Sequence, residues 1–414
     1  MFNKISIYLL SFLPISLILG NFAINLNILL INFLILYHCY KNNNWSWIKE
    51  STFKLLIFFN LYLIINSIIL SYLMDYPDYS GLVRSLTFFK FILLAYSFKL
   101  LIISPKSLNK VMKIWCLIIC VVIFDVFFER ILGYNILGYV SPDHTRIVSF
   151  FKDEAVVGGL ILCFGFIVTT YFLNKNLKFK AKLFFNSLLF FIPVTIFISG
   201  ERSNFIKSII IFFVILFLIN KIKLLIGKKT TIILLILSII TGLITNESIY
   251  IKQKLLFNRI LIVEDPQKFS DRFQNISYFA HYDVALKIFK DFPFSGVGNK
   301  NFRHQCSREK YFDINIKFST HRCNTHPHQV HFELLSEHGL IGYTFLFYVI
   351  LLFIRNNLKR AKLSKNIFNY SSNIYLIIFL IPLLPSGAFF STFNGTLFWI
   401  VFSVASINFN KEKY

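Results

Sequence analysis

Residues 325–342 read THPHQVHFELLSEHGLIG, and this stretch sets four imidazoles against the start of an apolar run that continues to Phe353. His328 lies eleven residues before Gly339, which opens a GLIG turn-of-helix pattern. A helix needs about 17–25 apolar residues to cross a hydrocarbon core of about 30 Å, and the run has that reach. The stretch predicts a membrane-spanning helix with reactive side chains at its mouth, and chemistry at a membrane surface.

Working outward, the same apolar pattern recurs. Of the 414 residues, 56% are hydrophobic and 15% charged, against about 45–50% and about 25% in soluble domains. That composition excludes an ordinary soluble enzyme and predicts an all-α polytopic membrane protein. About twelve candidate transmembrane helices centre on residues 5–20, 21–38, 52–73, 82–104, 112–131, 155–173, 181–199, 204–220, 229–246, 332–354, 373–388 and 391–408. Lys4 and the first apolar run also resemble a secretory signal, but no A-x-A-like cleavage site follows and more spans come after it, so a retained first span is expected.

The net charge of +23 does not point to nucleic acid, because no folded basic domain carries it. The cations sit in alternate loops: Lys106, Lys110 and Lys113; Lys175 to Lys182; Lys221 to Lys229; Arg355 to Lys365. Between them lie loops almost free of Lys and Arg, such as SGAFFSTFNG at 386–395. The positive-inside rule then predicts both termini in the cytoplasm and the 247–331 segment facing outward. Three parts follow: an N-terminal bundle of about nine helices at 1–246, one large periplasmic segment at 247–331, and C-terminal transmembrane helices at 332–414.

The large segment concentrates the polar chemistry, since seven of the nine histidines fall between His281 and His338. Within it, SDRFQNISYFAHYDVALKIFKDF at 270–292 places apolar residues at helical spacing after Ser270, a candidate N-cap, and predicts an amphipathic helix. PFSGVGNKNF at 293–302 predicts a turn, and its lone GxG carries no nucleotide signal.

Cations at the outer membrane face suit an anionic lipid-linked substrate, because charge pairs strengthen where water is partly excluded. Arg202, in SGERSNF at 199–205, is one candidate, with Ser203 as the N-cap of the following helix. Arg272 is the second, two residues after Ser270, and Arg84 near an outer span end is a further candidate. A snorkelling arginine or a solvated helix end is the plainer reading of each. Asp125, Glu129 and Arg130 cluster at another outer end and are expected to pair with one another. His328 is the candidate general base, a neutral imidazole able to take a hydroxyl proton. Pro327 would occupy the first helical position, with His326 as cap and His331 one turn beyond His328. The same histidines with Glu333 could ligate a metal, but the HExxH order is missing, so no metal or other cofactor is expected. Cys306 and Cys323 are candidates for a disulfide in an oxidising compartment, with zinc on the two HxC pairs as the weaker alternative. Glu337 and His338 read as groups satisfied inside the bundle.

SGERSNF, the 270–302 stretch and CNTHPHQVHFELLSEHGLIG, in that order around a large outer loop, resemble the O-antigen ligase and O-antigen polymerase superfamily of bacterial glycosyltransferases. The resemblance is strongest over residues 195–350 and implies a C-type glycosyltransferase-like fold whose donor is a glycan on undecaprenyl diphosphate. It makes Arg202 and Arg272 the arginines that hold the diphosphate and His328 the essential histidine. Gln329 stands where the family usually has Asn or Ser, and with His326 and His331 it is expected to position the acceptor, a lipid A-core or glycan hydroxyl. Metal-independent transfer with inversion is expected, by a ligase or, as the alternative within the class, a repeat-unit polymerase. A lipid-linked sugar flippase or transporter is the alternative from another class. Transporters tend to show repeated halves and polar residues at the midplane, whereas here the polar residues gather in one outer segment.

Overall fold

In hydrocarbon a backbone N–H or C=O finds no water, so an apolar run satisfies its polar groups only by coiling into a helix or closing a barrel. The runs here coil. The structure, a computed structural model, describes residues 2–74, 76, 78–143, 145–152, 154–218, 228–245, 250, 254, 277–316, 318–364 and 367–407, and no strand occurs among them. The first half comprises α1 (Phe2–Ser11), α2 (Leu13–Leu19), α3 (Asn21–Lys41), α4 (Ser51–Met74), α5 (Ser80–Thr87), α6 (Phe89–Leu94), α7 (Ser97–Leu101) and α8 (Pro105–Leu132). The second half adds α9 (Val157–Leu173), α10 (Phe179–Ile198), α11 (Arg202–Leu218), α12 (Lys228–Thr245), α13 (Ser277–Asp291), α14 (Val330–Ser364), α15 (Ile367–Phe379) and α16 (Thr392–Ala405).

Among the described residues five helices are long and apolar enough to cross a membrane, namely α3, α4, α8, α10 and α14, or six if α1 and α2, bent by 44°, form one span. The protein is therefore a multi-pass, all-α membrane protein. Several expected crossings are shorter or broken. The run at 82–104 is divided by turns at Phe88 and at Ala95–Tyr96 into α5, α6 and α7, although the backbone at those turns keeps right-handed torsions. The run at 373–388 stops at Phe379, and residues 380–391 unwind before α16.

Aromatic side chains fill the centre. Trp115 of α8 sits between Phe98 and Phe164, with ring centroids 5.4 and 4.7 Å away, and its indole N–H donates to the Leu10 carbonyl at 3.0 Å. Trp399 and Phe398 of α16 pack edge-on against Phe389. The segment between α13 and α14 shares a smaller core with α13, where Val284, Ala285 and Ile288 meet Val297, Phe302 and Tyr311. Cys306 and Cys323 are joined there by a disulfide. Residues 270–276 of the expected amphipathic helix lie outside the described residues, and α13 packs its apolar face on α14.

Two glycine motifs lock together. α14 bends at Gly339, whose φ of 60° lies outside any helix, and this bend frees backbone groups that the 293–298 turn satisfies. Val297 N–H donates to the Ser336 carbonyl at 3.0 Å and Gly298 N–H to the Glu337 carbonyl at 2.8 Å. In return Leu340 N–H donates to the Pro293 carbonyl at 2.7 Å and Ile341 N–H to the Phe294 carbonyl at 3.2 Å. A Cβ on Gly339 would lie 2.3 Å from the Phe294 oxygen, and one on Gly296 2.3 Å from the Glu337 carbonyl carbon, so the approach requires both glycines. The buried Glu337 carboxylate accepts from Lys300 N–H at 2.8 Å and Phe302 N–H at 3.3 Å, which fixes the end of the turn.

Candidate functional site

A cavity of about 940 Å³ opens where α13 and the N-termini of α9, α11 and α16 meet the segment before α14 and the unwound 380–391 stretch. Its volume is that of a small-molecule site, roughly 300–1,000 Å³. Irregular backbone at membrane depth is tolerated where it lines such a cavity, and Leu383, Leu384, Pro385, Ser386 and Gly387 do so. The helices that start on this wall point the positive ends of their dipoles at it, and the Glu201 carboxylate already caps the first turn of α9 through Gly158 N–H.

Arg202 lines this cavity as the first residue of α11. The cap position belongs to Glu201 rather than Ser203. The Glu201 carboxylate accepts from Gly158 N–H at the start of α9 and from the Asn204 amide at 2.6 Å, and a Cβ on Gly158 would press on that carboxylate at 2.8 Å. The Ser203 hydroxyl donates instead to the Pro385 carbonyl, tying α11 to the unwound stretch.

The histidine-rich motif divides in two. His326 and His328 face the cavity, their ring centroids 4.2 Å apart, and His328 also meets His281 at 5.2 Å and Tyr278 at 5.3 Å. α14 begins at Val330, so His328 precedes the helix instead of starting its exposed face. It takes a φ of 58°, a left-handed conformation that histidine adopts more readily than most residues. Its carbonyl accepts from Ser386 N–H at 2.7 Å. Gln329, His331 and Glu333 point away from the cavity and clamp the unwound stretch. The Gln329 side-chain oxygen caps α14 by accepting from His331 N–H at 2.7 Å and Phe332 N–H at 3.2 Å, the place expected of His326. His331 Nε2 donates to the Leu380 carbonyl at 2.7 Å, which leaves Nδ1 to accept from the Tyr343 hydroxyl at 3.0 Å. The buried Glu333 carboxylate accepts from Phe389 N–H at 2.8 Å.

Burial, then the neighbouring His281, pushes the His328 imidazole down to about 4. Burial followed by His328 pushes His326 down to about 3. Both rings are neutral near pH 7 and can accept a proton or a hydrogen bond. His281 is also lowered by burial, and its Nδ1 donates to the Arg322 carbonyl at 3.0 Å, so the disulfide-closed 306–323 loop holds the ring that packs on His328.

Not every expected residue arrives. Arg272 lies outside the described residues. Arg84 does not line the cavity, and its charge acts on His326 of the cavity wall as well as on the buried Glu333 and Glu337. Asp125, Glu129 and Arg130 each bind neighbouring backbone. Asp125 accepts from Ile136 N–H at 2.8 Å, and Glu129 accepts from Val148 N–H at 3.1 Å and Ser149 N–H at 2.6 Å, which holds the loop after α8. Arg130 donates to the Ile198 carbonyl at 2.7 Å. That loop carries Arg146 into the cavity wall, 3.9 Å from Asp143. His338 is buried against Phe390, with neither ring nitrogen bonded to a described residue. No cluster of three His, Cys, Asp or Glu residues among the described residues is arranged to hold a metal ion.

Sequence reasoning missed Arg146, which only the loop fold delivers, and Lys207, which also lines the cavity. Lys207 had a signal, since a lone cation inside an apolar run faces the bundle interior or a wet cavity more often than lipid.

Fold and site together define a multi-pass helical membrane protein with a cation- and imidazole-lined cavity fed by helix N-termini. Residues 187–348 match the family model described as O-antigen ligase, and that family transfers lipid-linked glycans. No curated protein matches the chain. The matched span contains Arg202 and His328 but ends before the unwound stretch that completes the cavity.

Proposed function

We propose that this protein is a metal-independent inverting glycosyltransferase that moves a glycan from undecaprenyl diphosphate to an acceptor hydroxyl at the periplasmic face of a bacterial inner membrane. The observation that carries the reading is one cavity in which Arg202 and a neutral His328 stand at converging helix N-termini. The apolar wall suits a polyprenyl chain and the cationic end its diphosphate. Arg272 joins Arg202 on the diphosphate. The acceptor oxygen attacks the anomeric carbon as His328 takes its proton, and the bond to the diphosphate breaks with its electron pair on the phosphate oxygen. Prepositioned cations stabilise that growing charge more than the ground state, the condition for raising rate. The finer topology belongs to the same reading: about twelve crossings, both termini cytoplasmic, residues 1–246 and 332–414 as membrane bundles, and 247–331 outside.

Purified protein given lipid-linked glycan and candidate acceptors tests this directly. Arg202→Ala and Arg272→Ala should each lower transfer about 100-fold or more, and His328→Ala should lower it about 100- to 10,000-fold while donor still binds. Full activity in His328→Ala would sink the mechanism. The ligase reading is preferred to the polymerase one, and a deletion strain separates them: full-length polymer left on its carrier marks a ligase, loss of polymer length a polymerase. Donor accumulating on the cytoplasmic leaflet would instead favour a flippase.

A further inference from the structure

Lys207 sits on α11 with 4% of its surface exposed, and it lines the same cavity as Arg202. Its ammonium lies 5.6 Å from the centroid of the Phe379 ring, and among the described residues no hydrogen bond or ion pair reaches it. The carboxylates on the cavity wall are engaged elsewhere. Glu201 accepts from Gly158 and Asn204, and Asp283 pairs with Lys287 at 2.7 Å. Burying an ammonium without a counter-ion is strongly unfavourable. Packing does not explain it either, because a methionine would fill the same volume without that cost. A group kept at such a cost on a cavity wall, facing the inside of the cavity, is there for an anion that the cavity receives.

Resting on the glycan-transfer reading, we propose that Lys207 is the cation that matches the negative charge appearing on the lipid diphosphate only as the glycan leaves. In the glycosylated donor each phosphate of the diphosphate carries one charge. When the anomeric carbon–oxygen bond breaks, the electron pair stays on the terminal phosphate, which becomes a monoester-like group with about one further negative charge near neutral pH. The acceptor proton goes to His328, and Lys207 gives up neither proton nor electron. Two arginines answer the charge present throughout, and the buried ammonium answers the increment. Its effect therefore belongs to turnover and to product affinity more than to donor affinity.

The test uses the full chain in detergent with lipid-linked glycan and acceptor, comparing wild type with Lys207→Met and Lys207→Arg. Lys207→Met should lower kcat about 100-fold with KM for donor nearly unchanged. It should weaken binding of free undecaprenyl diphosphate more than binding of the glycosylated donor. It should also melt at or above the wild-type temperature, since an unpaired buried charge has gone. Lys207→Arg should keep most of the rate. A Lys207→Met protein that turns over like wild type overturns the inference. So does one whose kcat and melting temperature fall together without rescue by Lys207→Arg, which makes the lysine a structural group. Wild type that neither transfers glycan nor binds lipid diphosphate removes the functional reading and this inference with it.

Discussion

At the scale of the residue, two imidazoles on one short motif do different work according to which way the backbone turns them. His328, in a left-handed conformation ahead of α14, faces the cavity, whereas His331, three residues on, is bonded at both nitrogens to Leu380 and Tyr343. Their pH behaviour follows. Burial lowers His328 from its ordinary 6.5 to about 4, so the folded chain binds fewer protons than the unfolded one between those values. Stability from this group is complete above about 6.5 and declines as pH falls towards about 4. Melting curves at pH 7.5 and 5 should show the acid sample less stable, and His328→Gln should narrow that gap; an unchanged gap would remove His328 from the account. A bound diphosphate favours the imidazolium, so the acid limb of kcat should lie at higher pH than that of kcat/KM.

At the scale of the element, α14 and the 293–298 turn are two halves of one joint. Gly339 combines a φ of 60° with a neighbour 2.3 Å from where a Cβ would stand. Gly138, by contrast, has a φ of 83° and open space around it. Gly138→Ala should therefore cost only backbone strain, about 1 kcal/mol. Gly339→Ala should cost about 3 kcal/mol or more, strain and overpacking together. Thermal unfolding of the two variants side by side checks the comparison, and equal shifts would mean that the joint yields. The unwound 380–391 stretch is held similarly, by Gln329, His331, Glu333 and Ser203, so the motif read for chemistry is in large part a clamp.

At the scale of the whole molecule, the helical bundle carries a folded segment between α13 and α14 that must present His326 and His328 at a fixed angle. The Cys306–Cys323 bridge closes a loop with a sequence separation of 17, and Arg322, inside it, donates from its guanidinium to the Cys306 carbonyl at 3.0 Å. Loop-closure entropy gives such a bridge about 3 kcal/mol. Cys306→Ser with Cys323→Ser, or reductant on the native chain, should lower the melting temperature by that equivalent and reduce transfer through displacement of His281 from His328. Transfer and melting unaffected by reduction would show that the small outer core suffices alone.

Much of this protein is legible along the chain because membrane residence is a property of composition and local sequence. Apolar runs must coil where water is absent, so the helical class, α3, α4, α8, α10 and α14, and the turn at 293–302 are all readable. Arg202 and His328 are readable as chemistry, being polar groups at the mouths of apolar runs. The expected count of crossings is less so, since the turns at Phe88 and Ala95–Tyr96 and the unwinding after Phe379 leave no mark in hydropathy. Tertiary structure alone decided that Arg146 and Lys207 join Arg202 at one cavity, that Gln329 caps a helix, and that His331 faces Leu380 instead of the cavity. The physical reason is that the direction of a side chain depends on backbone torsions set by contacts remote in sequence. Hydropathy carries no trace of the carbonyls that Ser336, Glu337 and Leu380 present to partners dozens of residues away.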